Sequence, residues 1–208
     1  MTVAPLVYLI TDGTATNNNF EPDSARILEL IRVAVRETIS LVQIREKNLT
    51  ARNVFELTRR AAEIVSRTTT KLLVNDRADI ALAAKADGVH LTAKSLSAQI
   101  VRQNFGADFI IGASCHSLET ILTSKNDAAD FAVFSPIFYS PNKGEPQGLE
   151  VLREVCTKAN DFPILALGGV DESNFQQTLD AGAKGIAAVR LLNDVERLSR
   201  FAKQTRRA

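Results

Sequence analysis

The chain has almost no excess of either charge sign: 25 Lys and Arg stand against 24 Asp and Glu, a formal net charge of +1. Nothing global therefore draws it to nucleic acid or to an anionic membrane, and any recognition of an anion must be local. Cysteine is scarce. Cys115 and Cys156 lie far apart, which argues against a disulfide framework and fits a reducing cytoplasm. No basic segment precedes a long apolar run at the first residues, so neither a signal peptide nor a spanning helix is expected. Histidine is limited to His90 and His116, and no linker or low-complexity tract interrupts the pattern. At 208 residues and 45% hydrophobic, the chain suits one compact domain over 1–208.

What is present is alternation. Short apolar runs bounded by turn residues read as strands at 7–12, 41–47, 71–74, 88–91, 109–112, 131–134, 163–167 and 185–189. Between and after them, apolar-periodic segments read as helices at 27–35, 50–67, 78–86, 97–105, 117–124, 149–158, 173–180 and 193–203, with Thr50 and Ser117 as caps. Strict alternation implies parallel strands with crossover helices, and about 26 residues per unit is near the minimum for strand, helix and two loops. The expectation is an α/β fold, a single-domain (β/α)8 TIM barrel; an open doubly wound sheet is the alternative.

A barrel selects among polar residues, because chemistry sits just past the C-terminal ends of the strands. In the 41–47 run, Gln43, Arg45 and Lys47 alternate onto one face and Val42 and Ile44 onto the other. A planar guanidinium beside a compact ammonium suits phosphate oxygens, although both could be plain surface charges. Gly168-Gly169, ahead of a helix start, offers bare backbone N–H groups to a phosphate or simply makes a tight turn. Asn75-Asp76 is a turn and cap or, beside two cations, a carboxylate placed to hold Mg²⁺ against phosphate oxygens. The 135–148 loop is longer than its neighbours and brings Ser140, Asn142 and Lys143. Ser114, Val189 and Arg190 complete the set of strand ends. His116 is a candidate acid or base, His90 reads as structural and Cys115 as small packing.

Val42-Gln43-Ile44-Arg45-Glu46-Lys47, Val74-Asn75-Asp76-Arg77, Asp87-Gly88-Val89-His90-Leu91, Gly112-Ala113-Ser114-Cys115-His116, Pro136-Ile137-Phe138 with Lys143 and Gln147-Gly148, and Leu167-Gly168-Gly169-Val170 together resemble the ordered motifs of thiamine phosphate synthase and its sister, the thiazole tautomerase. The resemblance implies a (β/α)8 barrel that joins hydroxymethylpyrimidine diphosphate to a thiazole phosphate, with Mg²⁺ and release of diphosphate. It implies Gln43, Arg45, Lys47, Asn75 and Lys143 at the pyrimidine diphosphate, Asp76 at the metal and Ser114 at the pyrimidine. Ser140, Asn142, Gly169, Val189 and Arg190 then fall at the thiazole phosphate.

Three positions depart from the synthase pattern. Thr92-Ala93-Lys94-Ser95 stands where the family carries Gly-Gln-x-Asp, so a second metal carboxylate is missing. Ser140 and Asn142 replace paired threonines, and Arg190 replaces a serine. The alternatives are therefore a tautomerase acting through His116 on a thiazole phosphate carboxylate, and a non-catalytic phosphate-ligand sensor. Expected partners are small molecules, with homo-oligomerisation left open.

Overall fold

The computed structural model describes residues 4–141 and 143–206. Strands and helices alternate throughout: β1 (Leu6–Ile10), α1 (Phe20–Arg36), β2 (Leu41–Ile44), α2 (Ala51–Val65), β3 (Lys71–Asn75), α3 (Ala78–Ala83), β4 (Gly88–Leu91) and α4 (Ala98–Phe105). The second half repeats the scheme with β5 (Ile110–Cys115), α5 (Leu118–Asn126), β6 (Phe131–Phe134), α6 (Gly148–Ala159), β7 (Ile164–Ala166), α7 (Phe175–Asp180), β8 (Gly185–Ala188) and α8 (Val195–Thr205). All eight strands are parallel, in sequence order, and β8 pairs back onto β1 with Leu6 opposite Gly185 and Leu9 opposite Ala188. The closed barrel matches the expected fold, and the open sheet is excluded.

Local chemistry accounts for the element ends. Thr50, Ser97, Ser117 and Asp194 each accept a hydrogen bond from a backbone N–H of the first turn that they cap. Each strand then splits its side chains by parity. Val7 and Leu9 of β1 face the helices, while Tyr8 and Ile10 face the barrel interior with Leu41, Leu73, Phe131, Val133, Leu165 and Ala187. Because the interior is filled, the barrel is a packed core with a floor and not a pore.

The same parity puts Gln43, Asn75, His90 and Ser114 inward at the C-terminal end, where polar groups replace the apolar layers below. Two boundaries differ from the sequence reading in ways that matter. β2 ends at Ile44, so Arg45 and Lys47 belong to the loop that follows and are freed from strand geometry. β5 runs on to Cys115, so Ser114 is an inward strand residue and not the first residue of a loop. Among the described residues no helix is long and apolar enough to cross a membrane.

Closure demands glycine at the seam. A Cβ on Gly185 would overlap the carbonyl oxygen of Leu6 on β1, and one on Gly88 would overlap that of Ile110 on β5. Gly185→Ala is therefore expected to lower stability by about 3 kcal/mol, since backbone must shift to admit a methyl group. Urea unfolding measures it, and a loss under about 0.5 kcal/mol, the range of a surface change, would show that the seam is slack.

Candidate active site

One cavity of about 690 Å³ opens over the interior polar residues. Gln43, Asn75, His90 and Ser114 form its floor, and loops after β2, β4 and β6 bring Arg45, Lys47, Lys94 and Lys143 to its mouth. On the far side stand Gly168 and Gly169 after β7, and Val189 and Arg190 after β8. Ser140 and His116 complete the wall. The scattered residues singled out by their place at strand ends thus converge on one rim. Asn142 lies outside the described residues.

The loops are held by one buried acid that the sequence reading passed over. Glu46 is only 4% exposed and accepts from the backbone N–H of Gly13 at 3.2 Å and of Ala15 at 2.9 Å. It ties the loop after β1 to the loop that carries Arg45 and Lys47. Thr11 Oγ1 adds a second tie by accepting from the Arg45 N–H at 2.8 Å. Glu46 falls on the outward parity of the 41–47 run, which is why the inward pattern that flagged Arg45 and Lys47 could not find it.

The cations at the mouth are crowded and lack internal partners. Among the described residues, Arg45, Lys47, Lys94 and Lys143 join no ion pair, although charged residues elsewhere on the surface pair freely. The Arg45 guanidinium, ahead of burial, lowers the pKa of the Lys47 ammonium; Lys143 and Lys94 push the same way and only Asp76 opposes them. Four like charges face a cavity large enough for a substrate, and their repulsion is relieved when an anion enters.

Asp76 sits beside this mouth but does not line the cavity. Its Oδ1 accepts from the hydroxyls of Thr92, at 3.0 Å, and Ser95, and its Oδ2 accepts from Asn75 Nδ2 at 2.8 Å. Ser95, at the position where the resemblance calls for a second carboxylate, is thus turned onto the first one. Among the described residues no cluster of three or more His, Cys, Asp or Glu could hold a metal by itself.

The side of the cavity after β7 and β8 is built from backbone. Gly168 and Gly169 have φ of 97° and 66°, and a Cβ on Gly169 would stand 2.5 Å from the Tyr139 carbonyl oxygen. Only glycine reconciles that conformation with the close approach of the loop after β6. That loop is clamped to the segment just after β7 by Ile137 N–H to Leu167 O and Phe138 N–H to Gly168 O, both 2.9 Å. Among the described residues, the N–H groups of Gly168, Gly169, Arg190 and Leu191 meet no protein acceptor. Arg197 reaches the cavity from α8, paired with Glu172 at 3.1 Å; no strand-end rule would have selected it.

The two histidines differ. His116 Nδ1 lies 2.8 Å from the Ser135 carbonyl oxygen, which can only accept, so the neutral ring carries its proton on Nδ1 and keeps Nε2 basic. His90 is 2% exposed, and burial pulls its pKa down to about 4, so it is neutral near pH 7. It was read as structural, and it is buried, yet its ring also forms part of the cavity floor. Cys115 is buried packing as expected, its thiol pKa raised by burial.

Replacing Glu46 by alanine leaves the Gly13 and Ala15 N–H groups without an acceptor. Glu46→Ala should destabilise the fold by about 2–3 kcal/mol in urea unfolding and weaken binding of inorganic diphosphate, because two rim loops lose their common tie. Unchanged stability and affinity would deny Glu46 that role.

The chain is similar to known proteins over most of its length. The family model described as thiamine monophosphate synthase matches residues 7–192. A protein of Geobacter sulfurreducens is 38% identical over 186 residues, covering 88% of this chain and 84% of its own length. The thiamine-phosphate synthase of Clostridium tetani is 35% identical over 185 residues, covering 88% and 85%. Among solved structures, a thiamine phosphate pyrophosphorylase from Pyrococcus furiosus superposes with a TM-score of 0.79 at 26% identity over 96% of both chains. These names are those of the synthase, a transferase of thiamine biosynthesis, and lend nothing to the tautomerase or sensor readings. With its barrel, its convergent rim and matches of this extent, the chain belongs to the thiamine monophosphate synthase family.

Proposed function

We propose that this chain couples hydroxymethylpyrimidine diphosphate to a thiazole phosphate, and that the unpaired cations at the mouth carry the reaction. The C–O bond between the pyrimidine methylene and the diphosphate breaks with the electron pair leaving on oxygen. The thiazole nitrogen then donates its lone pair to the methylene carbon. No proton transfer is needed at the reacting carbon, so the demand on the protein is charge neutralisation at a departing anion and alignment of two rings. The crowding of Arg45, Lys47, Lys94 and Lys143 around one cavity is the observation that supports this reading.

In this assignment Arg45, Lys47 and Lys143 take the diphosphate oxygens, with Asn75 beside them, and Gln43 and Ser114 hold the pyrimidine. Gly168, Gly169, Val189, Arg190 and Ser140 receive the thiazole phosphate, whose oxygens suit free backbone N–H groups and a guanidinium. His116, its Nδ1 engaged with the Ser135 carbonyl oxygen, is left with Nε2 as its one acid–base atom toward the second substrate. Asn142 is assigned to the same phosphate by resemblance alone.

The donor set suits a Mg²⁺ held mostly by its ligand. Oδ2 of Asp76 accepts a single protein bond and so keeps lone-pair capacity, whereas Oδ1 already accepts two, and Mg²⁺ commonly takes only one or two carboxylates when phosphates and waters complete its shell. The ion would add positive charge at the leaving group. Asp76 would anchor it, with Thr92, Ser95 and Asn75 fixing the carboxylate. Two free cysteines accord with a cytoplasmic setting.

Purified protein given both substrates and Mg²⁺ should release diphosphate, and silence at saturating concentrations would end the proposal. Lys47→Ala should lower kcat/KM by about 100-fold, the usual scale for one preorganised group on a developing anion. A variant within twofold of the native rate would remove Lys47 from the mechanism.

A further inference from the structure

Beneath the cations runs a line of neutral groups. Gln43 Nε2 donates to the Tyr8 hydroxyl at 3.0 Å, the Tyr8 hydroxyl lies 3.3 Å from His90 Nδ1, and His90 Nε2 lies 2.9 Å from Ser114 Oγ. Tyr8 is 0% and Gln43 1% exposed, so water does not interrupt the line. Space for it is cut by Gly112, where a Cβ would stand 2.5 Å from the Phe131 ring and 2.8 Å from His90 Nδ1. Tyr8 also packs edge-on to Phe131 with centroids 5.6 Å apart, which fixes the phenol.

Each link of this line holds one hydrogen, and that fixes its direction. The Gln43 amide supplies the hydrogen of the first link, so the Tyr8 hydroxyl must place its own on His90 Nδ1. Both rings are enclosed, Tyr8 at 0% and His90 at 2% exposure, and an imidazole that accepts at Nδ1 carries its one hydrogen on the opposite nitrogen. The imidazole proton then sits on Nε2 and is donated to Ser114 Oγ, which leaves the serine hydrogen for the cavity. At the other end Gln43 Oε1 meets no protein donor among the described residues and is not sealed from solvent, unlike Ser24 Oγ and Asn193 Oδ1. The floor thus offers an acceptor on the β2 side and a donor on the β5 side. Rotating the Gln43 amide reverses every link, so it offers a donor at Gln43 and an acceptor at Ser114. The two ends change together or not at all.

We propose that Tyr8 and His90 are specificity-determining positioning residues, which couple Gln43 to Ser114 so that the floor reads a ring with an amino group on one side and an unprotonated ring nitrogen on the other. The inference rests on the reading of this cavity as a pyrimidine site. An amino ring matches the first state at both ends. The oxo ring of the same shape, with its ring nitrogen still bare, presents an acceptor at both ends and matches neither state. Without the coupling, Gln43 could turn to suit the oxo group while Ser114 stayed a donor. Discrimination would then fall away.

The direction of the line is measurable without substrate. With only two histidines, ¹⁵N-detected spectra of the free protein resolve both rings, and His116→Gln assigns them. We expect His90 protonated on Nε2 and bare on Nδ1; the opposite tautomer overturns the proposal. Coupling is then tested with the amino and oxo forms of the pyrimidine diphosphate as substrates. The native protein should favour the amino form by about 10³-fold in kcat/KM, as expected where a mismatched ligand leaves polar groups unpaired. Tyr8→Phe should narrow that ratio at least tenfold and mix the His90 tautomers. A Tyr8→Phe protein that loses rate equally on both forms shows a merely structural tyrosine and overturns the proposal. Should that variant not fold, the native tautomer still decides. Absence of diphosphate release from either form refutes the synthase reading itself, a result distinct from turnover with an unchanged ratio.

Discussion

Closure of β8 onto β1 is the constraint on which everything else depends. The paired stretch is short, Leu6 to Leu9 against Gly185 to Ala188, and the glycine at its start lets two backbones come within a distance that no side chain would permit. Once the ring is closed, parity does the remaining work: every inward residue near a strand's C-terminal end must face the same small volume. Gln43 and Ser114, 71 positions apart in the chain, become the two ends of one hydrogen-bonded line for that reason alone. The outward residues of the same strands bury against the helices and supply the apolar contact that holds a rim of like charges together.

The architecture was legible because each unit announces itself by an apolar run, and four of the eight helices also by a capping residue. Thr50 and Ser117 act as read, and β4 and β6 have the bounds expected of them. The rim was legible because a barrel makes position along a strand equivalent to position in space. Two classes of residue escaped. Glu46 and Tyr8 work through contacts across 31 to 82 positions, and nothing local distinguishes a buried loop tie from a surface glutamate or a barrel tyrosine from simple filling. Arg197 enters from a helix, where no strand-end rule looks. Asp76 was legible by residue type and place as a carboxylate beside the cations; its bonds from the hydroxyls of Thr92 and Ser95, 16 and 19 positions away, were not.

The cavity separates two physical tasks by depth. At the mouth Lys47 and Lys143 are exposed, water screens them, and long side chains tolerate a ligand whose charge moves as a bond breaks. Charge of that kind attracts any phosphate and identifies none. At the floor Tyr8, His90 and Gln43 are buried and neutral, the local dielectric is low, and a single misdirected hydrogen is costly.

That division explains why a histidine belongs at the centre of the floor while remaining outside acid–base chemistry. An imidazole held neutral by burial has one donor and one acceptor on opposite edges, so it transmits direction from one neighbour to the next, which a serine or threonine, free to rotate, would not. Placing a charged group there would offer a stronger bond to a ligand but would lose the distinction between amino and oxo partners, since a cation donates at both edges. Attraction can be left to the rim because it is indifferent to identity. Recognition has to be kept dry, where each hydrogen has only one place to go.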